Sequence, residues 1–461
     1  MRKSLWGIPA LAPCVAPFII SSASAAETAG AYAPSPGLLV GGVPFEFFLF
    51  GATLIGVALL HHRTFTVAFT GLATIIAYKF FVTGFTFGPG VEGLQGALWH
   101  ERIILSNLFL LLLGFAVLSR QFEQSNAPEM IPRVLPDDWK GGLVLLGMIF
   151  VLSSFLDNIA AALIGGVVAK AIYDKVHIGY LAAIVAASNA GGAGSVVGDT
   201  TTTMMWIDGI SPLDVLHAYV ASGVGFFVYA IPLSIVQQRY SPIQKKADTS
   251  HPVDIVRLFV VAAILLSAIG ANVFANLRAP HLLDQYPVIG LGVWSAIIVT
   301  GIIRFPDFKV VISGFKGTLF LLALVTCASL MPVEALPPAS WQTALGLGFV
   351  SAVFDNIPLT ALAIKQGGYD WGALAYAVGF GGSMIWFGSS AGVALTNMFP
   401  EGKSVFRWLI NGWWVALGYV VGFFALLMVL GWHPHAPHKR TGAETAAQEI
   451  TAIDAGERAP H

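Results

Sequence analysis

Charged side chains are scarce. Lys, Arg, Asp and Glu make up 11% of the 461 residues, less than half the share of about 25% usual in soluble domains. So few polar groups cannot cover a water-soluble surface of this size, which excludes an ordinary soluble enzyme or binding module. Cysteine is scarcer still. Cys14 and Cys327 fall in different apolar segments, which signals neither a disulfide framework nor a thiolate zinc site. No His-x-x-x-His or His-Glu-x-x-His lies within an expected helix, so the usual metal-hydrolase signatures are missing. A formal net charge of −1 gives no sign of a nucleic-acid partner.

What the chain has instead is apolar length. It is 56% hydrophobic with a mean hydropathy of +0.76. Runs long enough to span a bilayer fall near 44–60, 64–83, 102–119, 177–207, 216–236, 254–274, 287–303, 310–330, 371–396 and 408–431. The start (1–26) has a basic n-region, an apolar stretch and a small-residue Ala23-Ser24-Ala25 site, so it reads as a signal peptide or a first transmembrane helix. Counting it, about eleven spans are expected, and the fold class is an all-α polytopic membrane protein.

Two further apolar stretches, 141–172 and 341–366, are interrupted at their centres by an Asp-Asn pair with a Ser four residues before the Asp: Ser153, Asp157 and Asn158, then Ser351, Asp355 and Asn356. An ionisable side chain at mid-bilayer costs about 2.5–3.5 kcal/mol on insertion scales. Its recurrence in equivalent surroundings points to a duplicated ion or proton site. Each stretch reads as a re-entrant hairpin, allowed where protein or water satisfies the broken backbone. Helical spacing puts each Ser and Asp on one face, and the Asn can turn the tip and offer a carbonyl oxygen.

Positive charge tests that arrangement. With both ends of 141–172 inside, Arg63, Arg120, Arg133, Lys140, Lys170, Lys175, the 237–246 loop, Arg304, Lys309, Lys403 and Arg407 all fall on the inner side, as the positive-inside rule requires. A full span at 141–172 would put the basic 237–246 loop outside. The second hairpin then opens from the outer side. Two inverted repeats are expected, 40–247 and 248–431, followed by a disordered polar tail at 432–461.

Each hairpin is followed by a glycine-rich run, 188–206 and 378–395. Aligned on their glycine pairs, Gly191-Gly192 matches Gly381-Gly382, Gly198 matches Gly388, and Asp199 and Thr200 fall opposite Ser389 and Ser390. Such segments make poor continuous helices and should unwind, freeing backbone groups. Hydroxyls at Ser195, Thr200, Thr201, Thr202, Ser383, Ser389 and Ser390 surround them. That is the oxygen-rich setting a small hard cation needs, with Asp157, Asp199 and Asp355 as the Na⁺ candidates. Glu46 and Lys79 read as snorkelling residues at helix ends. His100-Glu101-Arg102 reads as an interfacial anchor that begins a span, and His433, His435 and His438 as part of a solvated tail.

The paired Asp-Asn hairpins, the Asn-Ala-Gly-Gly…Asp-Thr-Thr-Thr run at 189–202 and the Gly-Gly-Ser…Gly-Ser-Ser-Ala-Gly run at 381–392 resemble the NhaD-type Na⁺/H⁺ antiporters of the ion transporter superfamily. The likeness covers most of the chain between about 40 and 431. It implies ion-site roles for Ser153, Asp157, Asn158, Asn189, Asp199, Thr201 and Thr202, and for Ser351, Asp355, Asn356, Ser383, Ser389 and Ser390. The Ala160-Ala161-Ala162 run departs from the pattern, where relatives more often place Pro or Thr, and removes oxygen ligands from the first hairpin.

The expected activity is exchange of Na⁺ or Li⁺ for H⁺ by alternating access, with proton and cation competing at buried Asp residues. The alternative is a Na⁺- or H⁺-coupled carrier of a small anion on the same fold. Three buried carboxylates and no adjacent Arg or Lys make a poor anion cradle. No cofactor is expected. The expected partners are membrane lipid and the transported ions, with a homodimer left open, in a bacterial-type inner membrane.

Overall fold

The computed structural model describes residues 37–60, 63–244, 252–279 and 281–435. The leader at 1–26 and the tail beyond 435 lie outside the described residues. Two short strands, Leu39–Val40 and Val43–Pro44, pair antiparallel. Apart from an isolated Phe85–Gly88 bridge, all else that is regular among the described residues is helical. In chain order the helices are α1 (Phe45–Leu59), α2 (Thr64–Tyr78, prolonged by a π-turn to Thr83), α3 (Gly90–Glu123), α4 (Ile131–Val134), α5 (Trp139–Ser153) and α6 (Asn158–Ile172). Next come α7 (Ile178–Ala193), α8 (Thr200–Ile207), α9 (Pro212–Leu216), α10 (Ala218–Tyr240), α11 (Ile255–Arg278), α12 (His281–Gln285) and α13 (Val288–Gly301). The last are α14 (Lys309–Ser329), α15 (Trp341–Ser351), α16 (Asn356–Gln366), α17 (Trp371–Gly381), α18 (Ser390–Met398) and α19 (Val405–Val429).

Among the described residues, six helical segments are long and apolar enough to cross a membrane: Thr64–Thr83, Gly90–Glu123, Pro212–Tyr240, Ile255–Ala275, Lys309–Ser329 and Val405–Val429. The chain is a multi-pass helical membrane protein. The two Asp-Asn stretches are helical pairs: α5 and α6 have 15 residues each, α15 and α16 have 11. At about 1.5 Å per residue, arms of about 22 and 16 Å fall short of a hydrocarbon core of about 30 Å. The runs 177–207 and 371–396 are also interrupted, between α7 and α8 and between α17 and α18, where the glycines led us to expect unwinding.

The helices form two groups. In one, α1, α2, α3, α11, α13 and α14 pack together. In the other, the hairpins and broken helices pack with α10 and α19. At the centre α7 and α17 lie against each other, and every residue of both is buried. Both are rich in Ala and Gly, which lets helix backbones approach closely in an apolar medium. Around them the pairing crosses over: α6 of the first hairpin packs on α18, and α16 of the second packs on α8. At one end of the first group, Arg304 meets Asp254 at 3.0 Å and Arg120 meets Asp307 at 3.2 Å. The Arg304 hydrogen bond holds the Asp254 carboxyl below the usual carboxylate range.

Three expectations need correction. Glu46 and Lys79 do not snorkel: they are 3% and 5% exposed, within electrostatic range of each other. They are drawn inward because α1 and α2 pack on one another and α2 also packs on α14. His100-Glu101-Arg102 does not begin a helix. It lies inside the 34-residue α3, with the Arg102 guanidinium 3.9 Å over the Trp99 ring. The start of the tail is docked, not loose: the His433 and His435 backbone N–H groups donate to Asp370 Oδ2 (2.9 Å) and Tyr369 O (3.1 Å).

Candidate functional site

Each tip is built the same way. An apolar arm ends, a few residues turn, and an Asp restarts the chain as a helix by accepting a backbone N–H at its new N-terminus. Asp157 accepts from Ile159 N at 3.2 Å and Asp355 from Ile357 N at 3.1 Å. Their backbones match within a degree or so, φ −52, ψ 138 against φ −53, ψ 139. In the broken helices Asp199 caps α8 by accepting from Thr201 N, and Ser389 caps α18 by accepting from Gly392 N. The partial positive ends of these restarted helices favour the carboxylates.

The tips are tied to the broken helices by contacts that recur between the two halves. Ser153 Oγ donates to Ser188 O at 2.5 Å, and Ser351 Oγ to Val378 O at 2.7 Å. A Cβ at Gly191 would meet Phe150 O at 2.0 Å, and one at Gly381 would meet Gly348 O at 2.3 Å. Partners are 198 residues apart in the hairpins and 190 apart in the broken helices. Ser153 and Ser351 therefore hold the tips in place, with their hydroxyl protons committed to backbone.

At the centre the halves interlock. Asn158 Nδ2 donates to Asn189 Oδ1 at 3.1 Å, and Asn189 Nδ2 donates to Ser383 Oγ at 2.9 Å and Ser389 Oγ at 3.1 Å. From the other side, Asn356 Nδ2 donates to Asp199 Oδ2 at 3.4 Å, and Ser390 Oγ donates to Asp355 Oδ2 at 3.3 Å. Asp199 is 3% exposed, Asp157 and Asp355 half-buried, and Asp199 lies within electrostatic range of both. Among the described residues no three acidic, His or Cys groups converge on one point, so the carboxylates are spread along the interface, with Asp199 in contact with the other half.

The hydroxyls divide. Thr202 Oγ1 is turned back on its own chain, to Ser195 O (2.5 Å) and Asp199 O (2.9 Å). Thr201 is fully buried with its hydroxyl beside the Asp199 carboxylate. Thr360 Oγ1 bonds to Asn356 O at 2.9 Å, so the hydroxyl that Ala162 lacks at the equivalent place would face backbone, not the interface. Sequence reasoning missed three contributors. Ser154 Oγ and Tyr219 OH both donate to Gly191 O, at 3.1 and 3.2 Å, and Trp408 Nε1 donates to Ser383 O at 3.3 Å. Ser154 was visible as the neighbour of Ser153; nothing local marks Tyr219 or Trp408.

No protein-family model matches the chain. Among curated proteins it is similar to Sodium/proton antiporter 1 of Arabidopsis thaliana, 28% identical over 433 residues, covering 84% of this chain and 73% of that one. Sodium/proton antiporter 2 of the same plant is 25% identical over 81% of this chain and 97% of its own length. The Na⁺/H⁺ antiporter NhaD of Vibrio cholerae is 27% identical over 61% of this chain and 68% of its own. The chain is thus a relative of the NhaD-type Na⁺/H⁺ antiporters and their plant counterparts.

Proposed function

We propose that this protein is a secondary active transporter that exchanges Na⁺ or Li⁺ for H⁺ by alternating access. It would do so in a bacterial-type inner membrane, with lipid as its surroundings. Its frame is two inverted repeats, 40–247 and 248–431, whose hairpin tips and broken helices meet at the α7–α17 contact. The observation that carries the reading is Asp199, a buried carboxylate reached by Asn356 of the opposite half with the Thr201 hydroxyl beside it. The names of the relatives support it.

The chemistry follows from elementary electrostatics. Taking a carboxyl out of water favours its neutral form, whereas a cation alongside favours the ionised one. A proton and a cation therefore compete for Asp199, and that competition couples their flows. Asp157 and Asp355 sit at the hairpin tips, where each would add or withdraw an oxygen if its hairpin shifted during alternating access. The membrane potential acts on any unequal exchange at about 2.3 kcal/mol per charge per 100 mV. A small-anion carrier is disfavoured because no described ion pair joins a Lys or Arg to Asp157, Asp199 or Asp355.

The test is a pH-gradient dye in everted vesicles containing the protein, challenged with NaCl, LiCl, KCl and citrate. Dequenching by Na⁺ or Li⁺ is expected. A response to citrate alone would replace the antiport reading with the anion carrier.

A further inference from the structure

In each half, the chain leaving the last helix folds back onto the loop between the hairpin and the broken helix. In the first half this is the end of α10 and the residues after it. Gln237 Oε1 accepts from His177 N at 2.7 Å, Ser241 Oγ accepts from Lys175 N at 3.3 Å, and Gln244 N donates to Ile172 O at 2.7 Å. His177 is the residue that caps α7. In the second half the residues after α19 take that place. Gly431, at φ +81, turns the chain out of the helix, and Pro434 disfavours helical backbone at His433. His433 N then donates to Asp370 Oδ2 at 2.9 Å, His435 N to Tyr369 O at 3.1 Å, and Trp371 Nε1 to His435 O at 3.1 Å. Asp370 caps α17, accepting from Ala373 N at 3.0 Å through its other oxygen. Both returns therefore end on the cap of a central helix.

The two loops differ in stiffness. The second turns on Gly367 and Gly368, at φ +71 and +77, a left-handed pair that favours glycine. The loop 173–177 has no residue at positive φ. On the hairpin side of the glycine pair, Lys365 Nζ donates to Ser329 O and Met331 O, and Gln366 Nε2 to Pro337 O at 2.7 Å. Tyr369 OH reaches back across the pair to Gln366 Oε1 at 3.0 Å. On the α17 side the hold comes from the segment after α19, against Asp370 and Trp371, which are 4% and 1% exposed. We infer that residues 431–435 are a positioning strap, which fixes the start of α17 as the stationary leg of a Gly367–Gly368 hinge so that movement of the second hairpin is not dissipated in α17. The link to transport rests on the antiport reading; the hold on α17 does not.

The experiment compares the full chain, a chain ending after Ala436, a chain ending after Gly431, and Asp370→Ser in the full chain. Serine keeps a capping oxygen for α17 but gives up the acceptor for His433 N. Hydrogen exchange of the purified proteins is followed by mass spectrometry. Without the strap, backbone amides 372–376 are expected to exchange about 10-fold faster, the equivalent of about 1.4 kcal/mol of lost hydrogen bonding. The chain ending after Ala436 should match the full chain, and 173–178 should be unchanged in all four. In proteoliposomes, turnover for Na⁺ per inserted molecule is expected to fall several-fold in the two strapless proteins with KM unchanged, because a conformational step slows while the ion site is intact. A strap of purely structural use would lower the amount inserted and leave that turnover as it was. Asp370→Ser carries the test should the chain ending after Gly431 fail to insert. Unchanged protection at 372–376, or lost protection with unchanged turnover, overturns the inference. A full chain that exchanges neither Na⁺ nor Li⁺ overturns the antiport reading instead, and the protection result alone then decides the strap.

Discussion

Asn189→Ala removes a side chain that is hydrogen-bonded both to the first hairpin and to the second broken helix. Three hydrogen bonds are lost, at 3.1, 2.9 and 3.1 Å. Hydrogen bonds between helices in a membrane average about 0.6 kcal/mol each and reach about 1.7. The loss should therefore be about 2 kcal/mol, and more if Asn158 Nδ2, 6% exposed as a residue, finds no new acceptor. The assay is reversible unfolding in mixed micelles of the wild type, Asn189→Ala, Ser389→Ala and the double variant. The Asn189–Ser389 coupling should be about 0.6–1.7 kcal/mol. A coupling indistinguishable from zero, with Asn189→Ala as stable as the wild type, would refute the idea that the amide ties the halves together.

Three further outcomes follow from the same geometry. Gly191→Ala and Gly381→Ala each drive a methyl into a hairpin carbonyl at 2.0 and 2.3 Å. Each should cost about 1–3 kcal/mol in unfolding measurements, with similar effects in the two halves. Lys365 Nζ donates to Ser329 O and Met331 O at 2.6 and 2.5 Å, holding the second hairpin to the end of α14, so Lys365→Met should slow exchange in vesicles while Lys365→Arg largely preserves it. His177 accepts the Gly179 N–H through Nδ1 at 3.1 Å and so caps α7; burial lowers its pKa from the usual 6.5. The neutral cap is intact above the ordinary His range and is lost as pH falls below 6.5 through the lowered folded value. Melting curves between about pH 5 and 8 should show that loss, worth about 1 kcal/mol, and His177→Asn should flatten it.

The parts of the site that break a local rule were legible in the sequence. An Asp-Asn pair in an apolar run cannot continue a buried helix cheaply, and a glycine pair followed by hydroxyls cannot either, so both breaks were visible at the right residues. Helix capping explains why the break and the carboxylate coincide: Asp157, Asp199 and Asp355 each restart the helix that follows. What was not legible depends on who lies opposite. Nothing in the chain says that Asn189 reaches Ser383 and Ser389, or that Thr202 turns to its own backbone while Thr201 does not. Glu46 and Lys79 looked like snorkelling residues because they lie near the ends of their apolar runs. Their burial is decided by α2 packing on both α1 and α14, which leaves no local trace.

The central claim is that a proton and a cation compete at Asp199. The most direct measurement is radiolabelled sodium uptake into proteoliposomes of the purified protein under an imposed pH gradient, acid inside, comparing wild type with Asp199→Asn. The account expects sodium to accumulate in the wild type only while the gradient lasts, and no accumulation in the variant although it inserts and folds. Gradient-driven uptake of equal size in Asp199→Asn would contradict it.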